Sequence, residues 1–186
     1  MNLEMLILAL VPPVLFVFVE MKAGQKAGII TALVAAIVLF VYWYIRTGTI
    51  DETLLVEAGL MLLLGGLSLK LKDSRFFKFQ PTIVAVIFFA YFAFFQIQGD
   101  PVLGRLMRMM EPIAGEQLTQ IMRLPNYESC ISSSSLWTMF ALLGHGLLVA
   151  WGAIKLGSIG WLMTRLALYP ILIAVSLTMR FCLSAF

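Results

Sequence analysis

The chain has 186 residues, 61% of them hydrophobic and 12% charged, with a formal net charge of +3 and a mean hydropathy of +0.98. A soluble domain carries about 25% charged residues, so this composition excludes a soluble fold and leaves no room for a separate catalytic domain beside five or six spans. The apolar segments are of helix length rather than short alternating strands, which disfavours a β-barrel and predicts an all-α polytopic membrane protein forming one transmembrane domain over residues 1–186.

The first span is expected at 3–19, with Pro12 and Pro13 in its middle; two missing N–H donors there predict a kink or two short helical pieces. The segment lacks a positive n-region and a small-residue cleavage site, so it reads as a retained span rather than a signal peptide. A polar turn follows, with Glu20, Lys22, Gly24, Gln25 and Lys26. The second span, 27–45, is uncharged and ends in Tyr42, Trp43, Tyr44 and Arg46, an aromatic belt with a snorkelling cation. Its length reaches roughly 28 Å, close to the hydrocarbon thickness. The third, 53–69, carries Glu57 one turn inside, and Gly65 and Gly66 near its end would let another helix approach closely.

Lys70, Lys72, Arg75 and Lys78 then crowd one short stretch, with Asp73 as its acid and Phe76, Phe77 and Phe79 interleaved. Charge at that density belongs at a membrane surface, not in hydrocarbon. Pro81 suits the first turn of the fourth span, 81–97, because its missing N–H is not needed there. Residues 101–124 read as an interfacial segment. Val102, Leu103, Leu106, Met107 and Met110 fall on one helical face, and Pro101, Gly104, Arg105, Arg108 and Glu111 on the other. Ser132–Ser135 offer an N-cap for the fifth span, 136–154, which holds Gly144, His145 and Gly146 and closes at Trp151 and Lys155. The sixth, 159–179, contains Arg165 and Pro170 and is followed by Arg180.

Orientation follows from the Lys and Arg residues. Lys22, Lys26, Lys70, Lys72, Arg75, Lys78 and Lys155 fall on one side, and Arg46, Arg105, Arg108, Arg123 and Arg180 on the other. The first set marks the cytoplasmic side, which places both termini outside the cytoplasm with six spans and on different sides if the first segment is only interfacial. Cys130 and Cys182 have no C-x-x-C spacing and read as two lone thiols without a metal or redox role.

Three features carry competing readings. Glu57 is either a proton- or cation-handling group or an interfacial acid favoured by the helix dipole. His145, the chain's one histidine, is either a proton relay or ligand, or a neutral imidazole hydrogen-bonded across a close helix contact. The Lys70/Lys72/Arg75/Lys78 cluster is either a docking surface for anionic headgroups or an acidic partner, or a topological anchor alone. The serines have no base near them in sequence and read as a loop and cap rather than a nucleophile. Nothing in the spacing points to a metal or cofactor, and no soluble basic module exists to bind nucleic acid.

The central stretch resembles the intracellular septation protein A family of bacterial inner-membrane proteins. The residues that carry the likeness are Gly65-Gly66-Leu67-Ser68-Leu69, then Asp73, Phe76, Lys78, Phe79 and Pro81-Thr82. A second patch is Gly99 and Pro101 followed by Arg105-Leu106-Met107, and a third is Leu124-Pro125 with Trp137, Phe140 and Gly144. Asp73-Ser74, Gln80, Asp100 and His145 depart from the pattern. The resemblance implies a multi-pass inner-membrane protein of septation, cell division, cell-envelope biogenesis and membrane homeostasis, with no catalytic site or cofactor. The reading is of a non-enzyme that contacts membrane lipids and other inner-membrane envelope or division proteins, with homo-oligomers compatible. The contact residues expected are Lys70, Lys72, Asp73, Arg75, Phe76, Lys78, Arg105 and Arg108, and the helix-packing glycines Gly65, Gly66 and Gly144. The alternative is a small transporter or lipid-handling protein that uses Glu57 and His145.

Overall fold

The computed structural model describes residues 3–48 and 52–184, and among them every regular element is a helix. The chain forms two compact units, Met1–Pro81 with Leu148–Arg165, and Thr82–Leu147 with Leu166–Phe186. Four stretches among the described residues are long and apolar enough to cross a bilayer: Gln25–Thr47, Arg75–Ile97, Tyr127–Lys155 and Ser158–Met179. Their outward faces are apolar, with Val34, Ile37, Val38, Val41 and Ile45 exposed on one and Val86, Ile87, Phe88, Tyr91 and Phe94 on another. An all-α polytopic membrane protein accounts for such surfaces; a soluble protein of this size rarely tolerates apolar patches that large.

The first unit opens with α1 (Leu3–Ala23), which runs on through Pro12 and Pro13. Of the two expectations, a kink or a division, the division into two pieces does not occur. Both prolines are buried, so neighbouring helices cover the turn where donors are missing. Gly24, at φ +85°, reverses the chain into α2 (Gln25–Thr47), a backbone conformation glycine adopts without steric cost. The hairpin is tight: a Cβ on Gly28 would lie 2.9 Å from the Phe16 carbonyl oxygen and from the Glu20 Cβ. At the far end of α2, Arg46 bonds the Tyr42 hydroxyl at 2.9 Å, and Gly48, with φ +68°, caps the helix by donating to the Tyr44 carbonyl. Next come α3 (Glu52–Leu71) and the single turn α4 (Arg75–Lys78). The core joins Phe16 and Val17 of α1 to Ile29, Ala32 and Ala36 of α2, Met61, Phe77, Val149, Ala153 and Trp161.

α5 (Gln80–Ile97) opens with Pro81 in its first turn, as expected, and carries the chain from the first unit into the second. Two short helices, α6 (Val102–Ala114) and α7 (Glu116–Met122), occupy the segment read as interfacial. α8 (Tyr127–Lys155) begins at Tyr127 rather than Leu136. The serines therefore lie inside a helix and do not cap it. Two of the hydroxyls find partners on other elements: Ser132 accepts from Gln96 Nε2 at 2.9 Å and Ser135 from the Leu103 N–H at 3.4 Å. That satisfaction is what permits serine in a helix interior, where it otherwise competes with the backbone. The last expected span divides into α9 (Ser158–Leu166) and α10 (Leu168–Ser184). Pro170 has no N–H for the Leu166 carbonyl, and α9 ends at that residue.

The two cysteines are not lone thiols. Cys130 near the start of α8 and Cys182 near the end of α10 are disulfide-bonded, with Cα atoms 5.9 Å apart. Asn126 Nδ2 adds a 2.9 Å bond to the Cys182 carbonyl. Sequence spacing carried no trace of this, because cysteines 52 positions apart are brought together by topology alone.

Candidate functional site

The basic turn is built by local chemistry. α3 ends at Leu71, and Lys72 takes a left-handed conformation, φ +56°, that reverses the backbone. Asp73 then forms an Asx turn. Its Oδ1 accepts from the Arg75 N–H at 2.9 Å, and its carboxylate is gripped by the Arg75 guanidinium at 2.7 Å. The hydrogen bond from Arg75 holds the Asp73 carboxyl below the usual carboxylate range. Ser68 Oγ, fully buried, accepts from the Phe77 N–H at 2.7 Å and so staples α4 to α3.

Below the turn lies a buried polar group. Lys78 is 6% exposed; its Nζ donates to Ser158 Oγ at 2.9 Å and lies 3.5 Å from Glu20 Oε2. Ser158 donates in turn to Glu20. The ammonium stands 5.4 Å from the centre of the Phe16 ring. Phe16 also packs on Phe77 at 4.8 Å and edge-on against Trp161 at 5.7 Å. Trp161 Nε1 closes the arrangement with a 3.0 Å bond to the Lys78 carbonyl. Lys78 therefore joins α1, α4 and α9 from inside and offers nothing to a headgroup or partner. The expected four-cation surface is a correction on that point: Lys70, Lys72 and Arg75 are exposed, Phe76 is half-buried, and Lys78 belongs to the core.

The interfacial arginines stand differently. Arg105 Nε approaches Asp100 Oδ2 at 2.5 Å, and Arg108 pairs with the other oxygen of the same carboxylate. The hydrogen bonds from Arg105, then Arg108, hold the Asp100 carboxyl low. Arg105 also lies over the Phe95 ring at 3.9 Å. On α6, Val102 is buried against Phe92 and Met139, while Leu106, Met109 and Met110 are exposed. Its amphipathic pattern thus leaves an apolar strip facing outward beside two arginines.

His145 is 3% exposed and lines an apolar groove of about 500 Å³ with Trp137, Phe140, Gly144, Ile171 and Val175. The Glu57 side chain lies outside the described residues. Of the three packing glycines, Gly65 makes a close approach: a Cβ there would stand 2.7 Å from Leu33 Cδ2. Gly66 and Gly144 face open space, and the tight contacts on α8 belong to Gly146, whose Cβ would lie 2.8 Å from the Ala85 Cβ, and Gly152, whose Cβ would lie 2.6 Å from Thr164 Oγ1. Gly146, two residues on and so on the opposite face of the helix from Gly144, packs on α5, and a single sequence does not say which face is covered.

The family model described as intracellular septation protein A matches residues 5–123. The chain belongs to this family. Three relatives carry the name inner membrane-spanning protein YciB. That of Acidithiobacillus ferrooxidans is 35% identical over 106 residues, covering 55% of this chain and 56% of the relative. That of Hydrogenovibrio crunogenus is 28% identical over 129 residues, 69% of this chain and 55% of the relative. That of a Marinomonas species is 34% identical over 98 residues, 51% and 55% respectively. The chain thus spans about half the length of the curated relatives it matches. No solved structure matches it. With its membrane-length helices, it is a multi-pass protein of the bacterial inner membrane. The match takes in the first two sequence patches and the basic turn, and leaves the third patch, Leu124–Gly144, outside.

Ser158 and Trp161 carry no signal in sequence, and Glu20, plain in the polar turn, gives no sign of its partner; only the fold turns the three inward around Lys78.

Proposed function

We propose that this family member serves cell-envelope biogenesis and septation through protein and lipid contacts in the inner membrane, not through catalysis. The observation that carries the reading is the pre-formed turn Lys70–Arg75. Three exposed cations stand on a backbone held by the Asx turn, the Ser68–Phe77 bond and the buried Lys78. A rigid cationic platform at a membrane boundary suits anionic headgroups and acidic protein segments, since little ordering entropy is lost on contact. The test is in-membrane crosslinking of tagged protein in its native host, comparing wild type with K70Q/K72Q/R75Q. Reproducible capture of division or envelope proteins, lost in the variant, supports the reading. Equal capture by a well-expressed variant refutes it.

A second reading, lipid or solute handling, draws on the buried His145 in its apolar groove. Lipid scrambling by the purified protein in vesicles, abolished by H145A or E57Q, would favour it over the first.

A further inference from the structure

Cys130 and Cys182 stand at one end of the second unit, where several bonds gather the chain. Gln96 meets Ser132, the Leu103 N–H meets Ser135, and Asn126 reaches the Cys182 carbonyl. The segment between α5 and α8 therefore returns to the end it left. α8 carries Cys130 near its start and Lys155 at its finish, about 37 Å apart along the helix axis, enough to place them on opposite sides of a bilayer. Lys155 leads into α9, whose Ser158 meets Lys78 and Glu20. Within α8, then, Cys130 and Lys155 stand at opposite ends.

Two independent physical rules now apply to the two ends. Cations in short loops mark the cytoplasmic side. Disulfides persist in oxidising compartments and are rare in a reducing cytosol. Applied separately to the two ends of α8, the rules agree: Lys155 marks the cytoplasmic end and the Cys130–Cys182 end lies outside.

We propose that Cys130–Cys182 is a structural disulfide installed on the outer face of the inner membrane by a thiol–disulfide oxidoreductase, and that this end of the protein, α6 and α7 included, is exposed to the periplasm. In the reaction the two thiols lose two protons and two electrons as the S–S bond forms. The oxidoreductase accepts both electrons through a mixed disulfide as its own disulfide becomes a dithiol. Cys130 is buried and Cys182 half-buried in the folded protein.

The test begins with the unaltered protein. Cells are quenched in acid, and the protein is denatured and treated with a polyethylene-glycol maleimide with and without prior reductant. The expected result is no mass shift without reductant and a two-thiol shift after it. In a host lacking its periplasmic dithiol oxidase, the two-thiol shift should appear without reductant. Two free thiols in the wild-type host overturn the proposal. Orientation is read separately with A23C and Q120C, both at exposed positions, in a C130A/C182A background. A membrane-impermeant maleimide should label Q120C in intact cells and A23C only after lysis. The reverse pattern overturns the orientation even if the disulfide is found.

Discussion

Replacing Lys78 with methionine separates the structure from a reading in which all four turn cations are alike. The change keeps the aliphatic stem that packs on Phe16 and removes the ammonium. Glu20 then loses its counter-ion at 3.5 Å while its side chain stays only 14% exposed. Removing one member of a buried ion pair costs about 3–5 kcal/mol, because the remaining charge is left uncompensated. The Ser158 hydroxyl still donates to Glu20, so the lower end of that range is expected. At roughly 2–4 °C per kcal/mol for a chain of this size, K78M should lower the midpoint of thermal unfolding by about 10 °C. K70Q and K72Q, both exposed, should stay within about 0.5 kcal/mol of wild type. The double variant E20M/K78M should recover part of the loss, since the orphaned charge is gone. The assay is thermal unfolding in nanodiscs, followed by the near-ultraviolet signal of Trp161 and its neighbours. A K78M midpoint indistinguishable from that of K70Q would refute the buried pair.

Further expectations follow from the packing and the cross-link. Reducing the disulfide, or making C130A/C182A, removes a closure over 52 residues and should cost about 4 kcal/mol on the chain-entropy scale; an unchanged unfolding midpoint in reductant would show that the bridge is not formed or not structural. G146L should be destabilising by at least 1–3 kcal/mol, because its Cβ alone would lie 2.8 Å from Ala85, whereas G66A and G144A open on free space and should be neutral or gain about 0.5 kcal/mol in helix propensity; equal losses at all three would sink the distinction. The Asp73 and Asp100 carboxyls are held below their ordinary value, so the pairs with Arg75, Arg105 and Arg108 are fully present above about pH 4 and are lost only as pH falls through the lower folded value; carboxyl carbon shifts in an NMR titration should show both midpoints under the free-aspartate value, and a midpoint at or above it would count against the pairing.

What the sequence made legible was what periodicity and composition encode. Helix class, membrane character, the aromatic end of α2 at Tyr42–Arg46 and the start of α5 at Pro81 follow from local rules that hold in any fold. The missed features depend on what meets what. Pro12 and Pro13 signal a kink or a division, and in the fold the helix is not divided and both prolines are buried. Ser132–Ser135 look like a cap until Gln96 and the Leu103 N–H take their hydroxyls. Lys78 cannot be told from Lys70 by type or spacing; Glu20, 58 positions earlier in the chain, and Ser158, 80 later, make it different. Cys130 and Cys182 share this cause, being partners only after α10 returns along α8.

The two ends dispose of their cations in unlike ways, and that difference predicts where anionic lipid will hold. Lys70, Lys72 and Arg75 face outward with only Asp73 among them, whereas Arg105 and Arg108 share the single carboxylate of Asp100. Attraction to an anionic surface scales with the cations left uncompensated, about 1 kcal/mol for each. The turn therefore presents the greater net charge, and K70Q/K72Q should weaken retention of phosphatidylglycerol by about 30-fold, since 1.4 kcal/mol is tenfold. D100N should act in the opposite sense, since it frees two guanidinium groups beside the exposed Leu106, Met109 and Met110. Native mass spectrometry of the full chain, released from micelles doped with phosphatidylglycerol, reads both effects as the number of lipids retained. Lipid retention that survives K70Q/K72Q and falls in D100N would mean that the Asp100 pairs, not the open cations of the turn, organise the bound headgroups.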